Sequence, residues 1–411
     1  MNFGGADRLG APQPSETMTG KLFKALRIAA VPLLVGLIVW VELKQPTPWF
    51  RLYSFLFGFL LIACLAALTR GRWRDGLAML ASFAFGLCVV ELAATLLEPK
   101  TMLVTSAGWN VFEPVLGWGP AKPGTYHATS IDPKTGATIY SVDYTFDSKL
   151  TRPTLSAESG STIVFFGDSF TFGFGLNDAD SLPQAFADNI QRKQRVLNLA
   201  NGGYSPQQFL RTLETGFRDG VIGPDPKLFI FMTLAWHAER AACKPSWALN
   251  APRYALESDA PVFKGRCYEG WRLAAQHALL QTAAYRYFIE PYLQRITHDD
   301  VELYIRELNA AAALGKEKYH VETLVPYVRS SPEALAGTGF TDESIMQRLR
   351  EGGAIVIDAS LQKEKAEGAP IEIPGDGHPT AYANRVRAEL IKSYIAQHMS
   401  GILLSKLEST P

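Results

Sequence analysis

The chain has 411 residues, more than one ordinary domain requires, and its 40 basic residues are balanced by 40 acidic ones, so no net field recruits nucleic acid. Hydrophobic residues make up 47% of it and crowd toward the N-terminus, which excludes a single evenly distributed core. The seven histidines form no His-x-x-x-His pair, there is no Cys-x-x-Cys and no Walker-type glycine loop, so neither a metal nor a cofactor is expected.

Three apolar runs, 26–43, 49–68 and 76–97, are each close to the roughly 20 residues that cross about 30 Å of hydrocarbon. They predict a three-helix anchor over residues 26–98, preceded by a tail over 1–25. Lys21 and Lys24 precede the first run and Arg27 stands at its start, and Arg70, Arg72 and Arg74 separate the second from the third. The first connector carries only Lys44 and Arg51, beside Glu42. The positive-inside rule then puts the tail in the cytoplasm and everything after the third span outside, periplasmic in a cell with two membranes. Trp40, Trp49 and Trp73 fall near the expected interfaces. Glu91 lies in the third run about two turns from its outer end, where interfacial water is in reach. Cys64 and Cys88 sit in the spans. Cys243 and Cys267 lie in the exported part, where an oxidising medium permits a disulfide that the sequence leaves open.

Residues 99–160 read as an extracytoplasmic β-hairpin and linker region. The stretch 140–146 alternates at period two after the turn signal Pro133-Lys134-Thr135-Gly136. From 161 to 400 short apolar runs at 162–166, 196–199, 228–233, 321–328 and 354–357 alternate with helix-length segments, the signature of a mostly parallel sheet covered by helices. An insertion at about 244–300, with helical patterns at 273–289 and 301–314 in and after it, interrupts the alternation.

The first of these runs ends at Gly167-Asp168-Ser169. A glycine at the carboxyl end of a buried strand lets the chain turn sharply, and the serine after it is exposed where ligands of open α/β sheets collect. Its hydroxyl becomes a nucleophile only beside a base, and His378 near the C-terminus is available. A competing pair, His298 with Asp299 and Asp300, sits on a polar junction between helical patterns and is read as a solvated helix cap.

The block 167–173 resembles the first conserved block of the SGNH/GDSL hydrolases, a family of serine esterases and O-acetyl-modifying enzymes. That resemblance implies a flavodoxin-like three-layer α/β/α domain with a parallel sheet, anchored here by three transmembrane helices. It also implies roles. Ser169 would be the nucleophile and, through its own N–H, an oxyanion donor; in Asn201-Gly202-Gly203, Gly203 is the better match to the oxyanion glycine and Gly202 the lesser. The family's third block is usually Gly-x-Asn-Asp, and the amide of its asparagine is the last oxyanion donor. Here the chain reads Leu234-Ala235-Trp236-His237, and an imidazole N–H of His237 is a candidate replacement. The closing block, Asp376-Gly377-His378, supplies His378 as base and Asp376 as its orienting acid, although many members carry that Asp three residues before the His, where Gly375 stands. Asp168, Asn201 and Arg240 are candidate substrate-binding residues, with Arg240 free in this reading to hold His237, Glu239 or a substrate carboxylate.

The sequence thus leads to an esterase of the cytoplasmic membrane, multi-pass, with its catalytic domain outside, removing O-acyl groups, O-acetyl above all, from a cell-envelope glycan. Its expected partners are membrane lipid, the acylated glycan and polysaccharide-assembly proteins of the envelope. Two alternatives stay open: an O-acetyltransferase for an exported polysaccharide, and a non-catalytic glycan-binding or assembly protein whose oxyanion hole His237 has spoiled.

Overall fold

A computed structural model describes residues 18–99, 103–106 and 108–403, so the first 17 residues of the expected tail lie outside the described part. The chain divides into two compact units. One comprises Met1–Glu98 with His277–Pro291, the other Pro99–Gln276 with Tyr292–Pro411.

The first unit contains α1 (Met18–Lys44), α2 (Phe50–Leu68) and α3 (Arg72–Leu97), all long and apolar enough to cross a membrane. The helix of α1 begins eight residues before its apolar run, where Lys21 and Lys24 are good helix formers. The sequence did not assign His277–Pro291 to this unit. Thr282 breaks the expected helical stretch there by capping a new helix, Ala283–Phe288, through a bond from the Tyr285 N–H. The other free N–H groups of that helix start are taken by Glu91 of α3: Oε1 accepts from Ala283 at 2.8 Å and Oε2 from Ala284 at 3.0 Å. Glu98 then receives Nε and Nη2 of Arg286 at 2.6 and 2.7 Å. Glu91 is therefore a structural acceptor at the end of a short helix, a position where a carboxylate is favoured. Leu279, Phe288 and Ile289 of the same segment are left exposed.

In the second unit a five-strand parallel path forms the main sheet. Numbered in chain order its strands are β1 (Thr162–Phe166), β2 (Arg195–Asn198), β3 (Pro226–Phe231), β4 (Glu322–Val328) and β5 (Ile355–Asp358), and their spatial order is β5-β4-β3-β1-β2. A short continuation after β3, Thr233–Leu234, pairs with the end of β4. This is the doubly wound order 2-1-3-4-5, whose connections reverse between β1 and β3. Period-two alternation sorts the side chains: Ile163 and Phe165 pack with helices Leu182–Asn189 and Ala381–His398 on one face. Val164 and Phe166 pack with Pro206–Thr215, His298–Tyr319 and Asp342–Glu351 on the other. The hairpin expected before the sheet is present as Gly124–Ile131 paired with Thr138–Phe146, and Cys243 is bonded to Cys267 with their Cα atoms 5.4 Å apart.

Replacing Glu91 by Ala leaves two N–H groups at the start of Ala283–Phe288 without their acceptor. A lost cap costs about 1 kcal/mol, so hydrogen exchange of the Ala283 and Ala284 amides in detergent-solubilised protein is expected to accelerate roughly fivefold.

Candidate active site

β1 delivers the serine through a turn that only glycine permits. Gly167 has φ +142, and a Cβ there would lie 2.4 Å from Thr171 Oγ1. Asp168 follows as N-cap of the one-turn helix Ser169–Phe172, accepting the Phe170 N–H at 2.9 Å. Ser169 opens that helix with its side chain on a cavity of about 600 Å³.

Across 209 positions of sequence, His378 Nε2 meets Ser169 Oγ at 2.9 Å. The other ring nitrogen, Nδ1, lies 2.5 Å from Asp376 Oδ1, which also takes the His378 backbone N–H at 3.1 Å. An ionised carboxylate only accepts, so Asp376 fixes the proton on Nδ1 and leaves Nε2 to accept from the serine hydroxyl. The base is held by a closed loop in which Ile373 N–H donates to His378 O at 2.7 Å and Asp376 N–H to Ile373 O at 3.1 Å. Helix Ala381–His398 starts immediately after, capped by Thr380. Asp376, two residues before the histidine, is thus in the orienting position that Gly375 vacates.

The loop after β2 is fastened to the turn that carries Ser169. Asn201 N–H donates to Gly167 O at 3.2 Å, which ties the loop after β2 to the nucleophile turn. Gly202 N–H is spent on Asn201 Oδ1 at 2.8 Å, whereas among the described residues the N–H groups of Gly203 and Ser169 have no acceptor. Gly203 has φ +81, and a Cβ there would meet the Trp247 ring at 2.5 Å. Of the two glycines, Gly203 is thus the one whose N–H stays unbonded among the described residues.

His237 is where the structure departs from the expectation. Its imidazole is fully buried, with Nδ1 2.9 Å from Thr233 Oγ1 and Nε2 3.0 Å from Asp168 Oδ2, so neither nitrogen is free to donate to an oxyanion. Burial holds the imidazole below its ordinary pKa, with Asp168 opposing that only in part. The neutral tautomer that satisfies every partner has Nε2–H donating to Asp168 and Nδ1 accepting from the Thr233 hydroxyl, which in turn is 3.0 Å from Tyr304 Oη. For Asp168 burial alone would raise the carboxyl. The hydrogen bond from His237 and the charge of Arg240 outweigh it and hold the group well below the usual carboxylate range. Arg240 supplies the counter-charge through Nη1 at 3.0 Å and also donates to Tyr204 O at 3.2 Å.

Two candidate substrate-binding residues are thereby occupied inside the protein. Asp168 is buried beneath the nucleophile, and Asn201 gives its side chain to Gly202 and to Asn110 Oδ1, 3.2 Å away. Arg240 does line the cavity, although its charge is already claimed. His298 and Asp300 do not line the cavity of Ser169 and are bonded to other partners: Asp300 completes a capping box with Thr297, and His298 Nδ1 lies 2.9 Å from Thr338 O.

Arg152 is a residue that sequence reasoning missed. Its fully buried guanidinium donates to the carbonyls of Phe172, Gly173 and Leu176 at 2.6, 2.8 and 2.7 Å, and its Nε to Asp178 Oδ1 at 2.8 Å. It stacks over the Phe172 ring at 4.6 Å. The carbonyls that the short nucleophile helix cannot satisfy are therefore gathered by one cation. A single arginine between Thr151 and Pro153 carries no periodic signal that would have marked it.

No family model matches the chain, and no curated protein matches it. Among solved structures it is similar to a psychrotrophic esterase, EstA, from Pseudoalteromonas sp., with 12% identity, 57% of this chain and 97% of that one covered and a TM-score of 0.35. It is likewise similar to AlinE4, an SGNH-hydrolase family esterase, at 15% identity over 59% and 99% of the two chains with a TM-score of 0.32. A carbohydrate acetylesterase family member from Sinorhizobium meliloti aligns at 11% identity over 58% and 98%, TM-score 0.32. At these identities and scores the likeness is distant, and the functional case stands on the geometry of Ser169, His378 and Asp376.

Two outcomes follow from the geometry. Gly167→Ala places a methyl group against Thr171 in a backbone conformation that disfavours it, and is expected to cost at least about 2 kcal/mol in denaturant unfolding. The depressed pKa values of His237 and Asp168 mean that the unfolded chain takes up protons the folded one refuses. Stability is therefore full above the ordinary imidazole value near 6.5 and falls as the pH drops below it, by at most about 1.4 kcal/mol per pH unit from His237. Thermal melts from pH 4 to 8 are expected to show a shallower acid slope in His237→Asn than in the wild type.

Proposed function

We propose that the chain is a membrane-anchored serine esterase acting outside the cytoplasmic membrane on O-acyl groups, chiefly O-acetyl, of a cell-envelope glycan. The single observation that carries this reading is the hydrogen-bonded series Ser169–His378–Asp376 on the wall of the cavity. His378 Nε2 takes the proton from Ser169 as Oγ attacks the ester carbonyl, and Asp376 stabilises the imidazolium that forms. The N–H groups of Ser169 and Gly203 receive the charge developing on the carbonyl oxygen. His378 then returns its proton to the departing sugar hydroxyl. In the second half it deprotonates a water that attacks the seryl ester, and the acid is released with Ser169 restored.

The address is supported by two independent features. Cys243 and Cys267 are bonded, which suits an oxidising compartment, and the basic residues in the opening turns of α1 and α3 favour a cytoplasmic N-terminus. A transferase would share every residue of this site and differ in the acceptor of the acyl group.

Purified full-length protein in detergent is expected to hydrolyse 4-nitrophenyl acetate and to be labelled at Ser169 by a fluorophosphonate. Ser169→Ala and His378→Ala are each expected to lower kcat by about 1,000-fold or more. A wild-type protein that takes no label and turns over no ester would sink the enzyme reading. Acetyl transfer to an oligosaccharide outrunning hydrolysis would reassign the reaction to the transferase.

A further inference from the structure

The cavity that holds Ser169 and His378 contains a second set of groups that the acyl chemistry does not use. Arg387, on helix Ala381–His398, lines it while being only 4% exposed. Its Nε donates to Ala359 O at 3.0 Å, but Nη1 is buried with no partner. Burial pushes its pKa down to about 10, with Glu372 and Asp168 opposing the fall, so the group remains a cation at neutral pH. A buried guanidinium N–H left unpaired is costly, and such a group persists where a ligand completes it. On the same cavity Ser330 Oγ is also buried without a partner. Lys365 lines the cavity and belongs to no ion pair among the described residues.

The other charges around the cavity are already matched. Arg329 is bound by Asp358 and Glu343, Arg240 by Asp168, and Asp376 by His378. What remains is Arg387 and Lys365 against one exposed carboxylate, Glu372. A guanidinium with Nη1 unpartnered, an unpartnered hydroxyl and an ammonium are together a donor set for an oxyanion, and the planar guanidinium suits a carboxylate best.

We propose that Arg387, with Ser330 and Lys365, forms a subsite for a carboxylate of the substrate, so that the preferred substrate is an acyl ester of an acidic, uronate-type saccharide. This deepens the esterase reading and rests on it, since the subsite shares its cavity with the nucleophile. Arg387 is a binding residue in this scheme, and its effect falls on KM.

The test compares kcat/KM of the full-length protein in detergent for two O-acetylated oligosaccharides of equal length, one of galacturonate and one of neutral xylose. The wild type is expected to favour the acidic substrate by roughly tenfold or more. Arg387→Met should bring the ratio close to one mainly through KM, Arg387→Lys should restore part of it, and Lys365→Met should reduce it by a smaller factor. A wild-type ratio near one, or a ratio unchanged in a folded Arg387→Met protein, overturns the proposal. Should Arg387→Met not fold, inhibition of the wild type by deacetylated oligogalacturonate but not by xylo-oligosaccharide supports the subsite, and equal inhibition overturns it. If the wild type turns over neither ester, the esterase reading fails separately. Calorimetric binding of oligogalacturonate to the wild-type chain then decides this inference alone, with binding weakened by Lys365→Met supporting it and no binding, or binding unchanged in Lys365→Met, overturning it.

Discussion

A carboxylate buried directly beneath Ser169 is the constraint around which the second unit is arranged. Asp168 must be where it is to cap the helix that presents Ser169, and it must be ionised to do so well. An ionised carboxylate out of contact with water needs a full set of donors and an opposite charge. His237, Arg240 and the Phe170 N–H supply them, and each brings another element with it: His237 leans on Thr233 and Tyr304, Arg240 on Tyr204. The chain after β3, the loop after β2 and the helix His298–Tyr319 are in this way all fastened to the residue next to Ser169.

Sheet topology explains why these loops are neighbours. In the order β5-β4-β3-β1-β2 the connections leaving β1 and β3 run to opposite faces, which opens a crevice at the carboxyl edge between them. Ser169 follows β1, Gly203 follows β2, His237 follows β3 and His378 follows β5, so residues far apart in sequence converge on one edge. The rigidity of that convergence comes from the sheet; its fine positioning comes from Arg152, which fixes the carbonyls beyond Ser169 from behind.

Much of this was legible in the sequence because it is written locally. The five strands are apolar runs bounded by turn residues, the hairpin follows a turn signal, and the glycine before Ser169 is demanded by a single positive φ. The pairing of Ser169 with His378 could be anticipated because a serine nucleophile needs a base and few histidines exist. The use of His237 was not legible: an imidazole reads the same whether its nitrogens face a cavity or a buried carboxylate, and only packing decides. Asn201 and Arg240 were ambiguous for the same reason. Nor did anything in the helical pattern of 273–289 show that part of it belongs with α3, since the acceptors that claim it, Glu91 and Glu98, are almost two hundred positions away.

The return of His277–Pro291 to the first unit makes the second unit discontinuous in sequence. Cutting the chain after Glu98 would therefore not release a self-sufficient soluble domain. The cut removes Glu91 and Glu98 but leaves their former partners, so the fragment would carry an uncapped helix start, an unpaired Arg286 and the bare side chains of Leu279, Phe288 and Ile289. Such a fragment is prone to stick to itself or to lipid. A soluble version requires two edits, one at the anchor and one that replaces this internal loop by a short polar bridge.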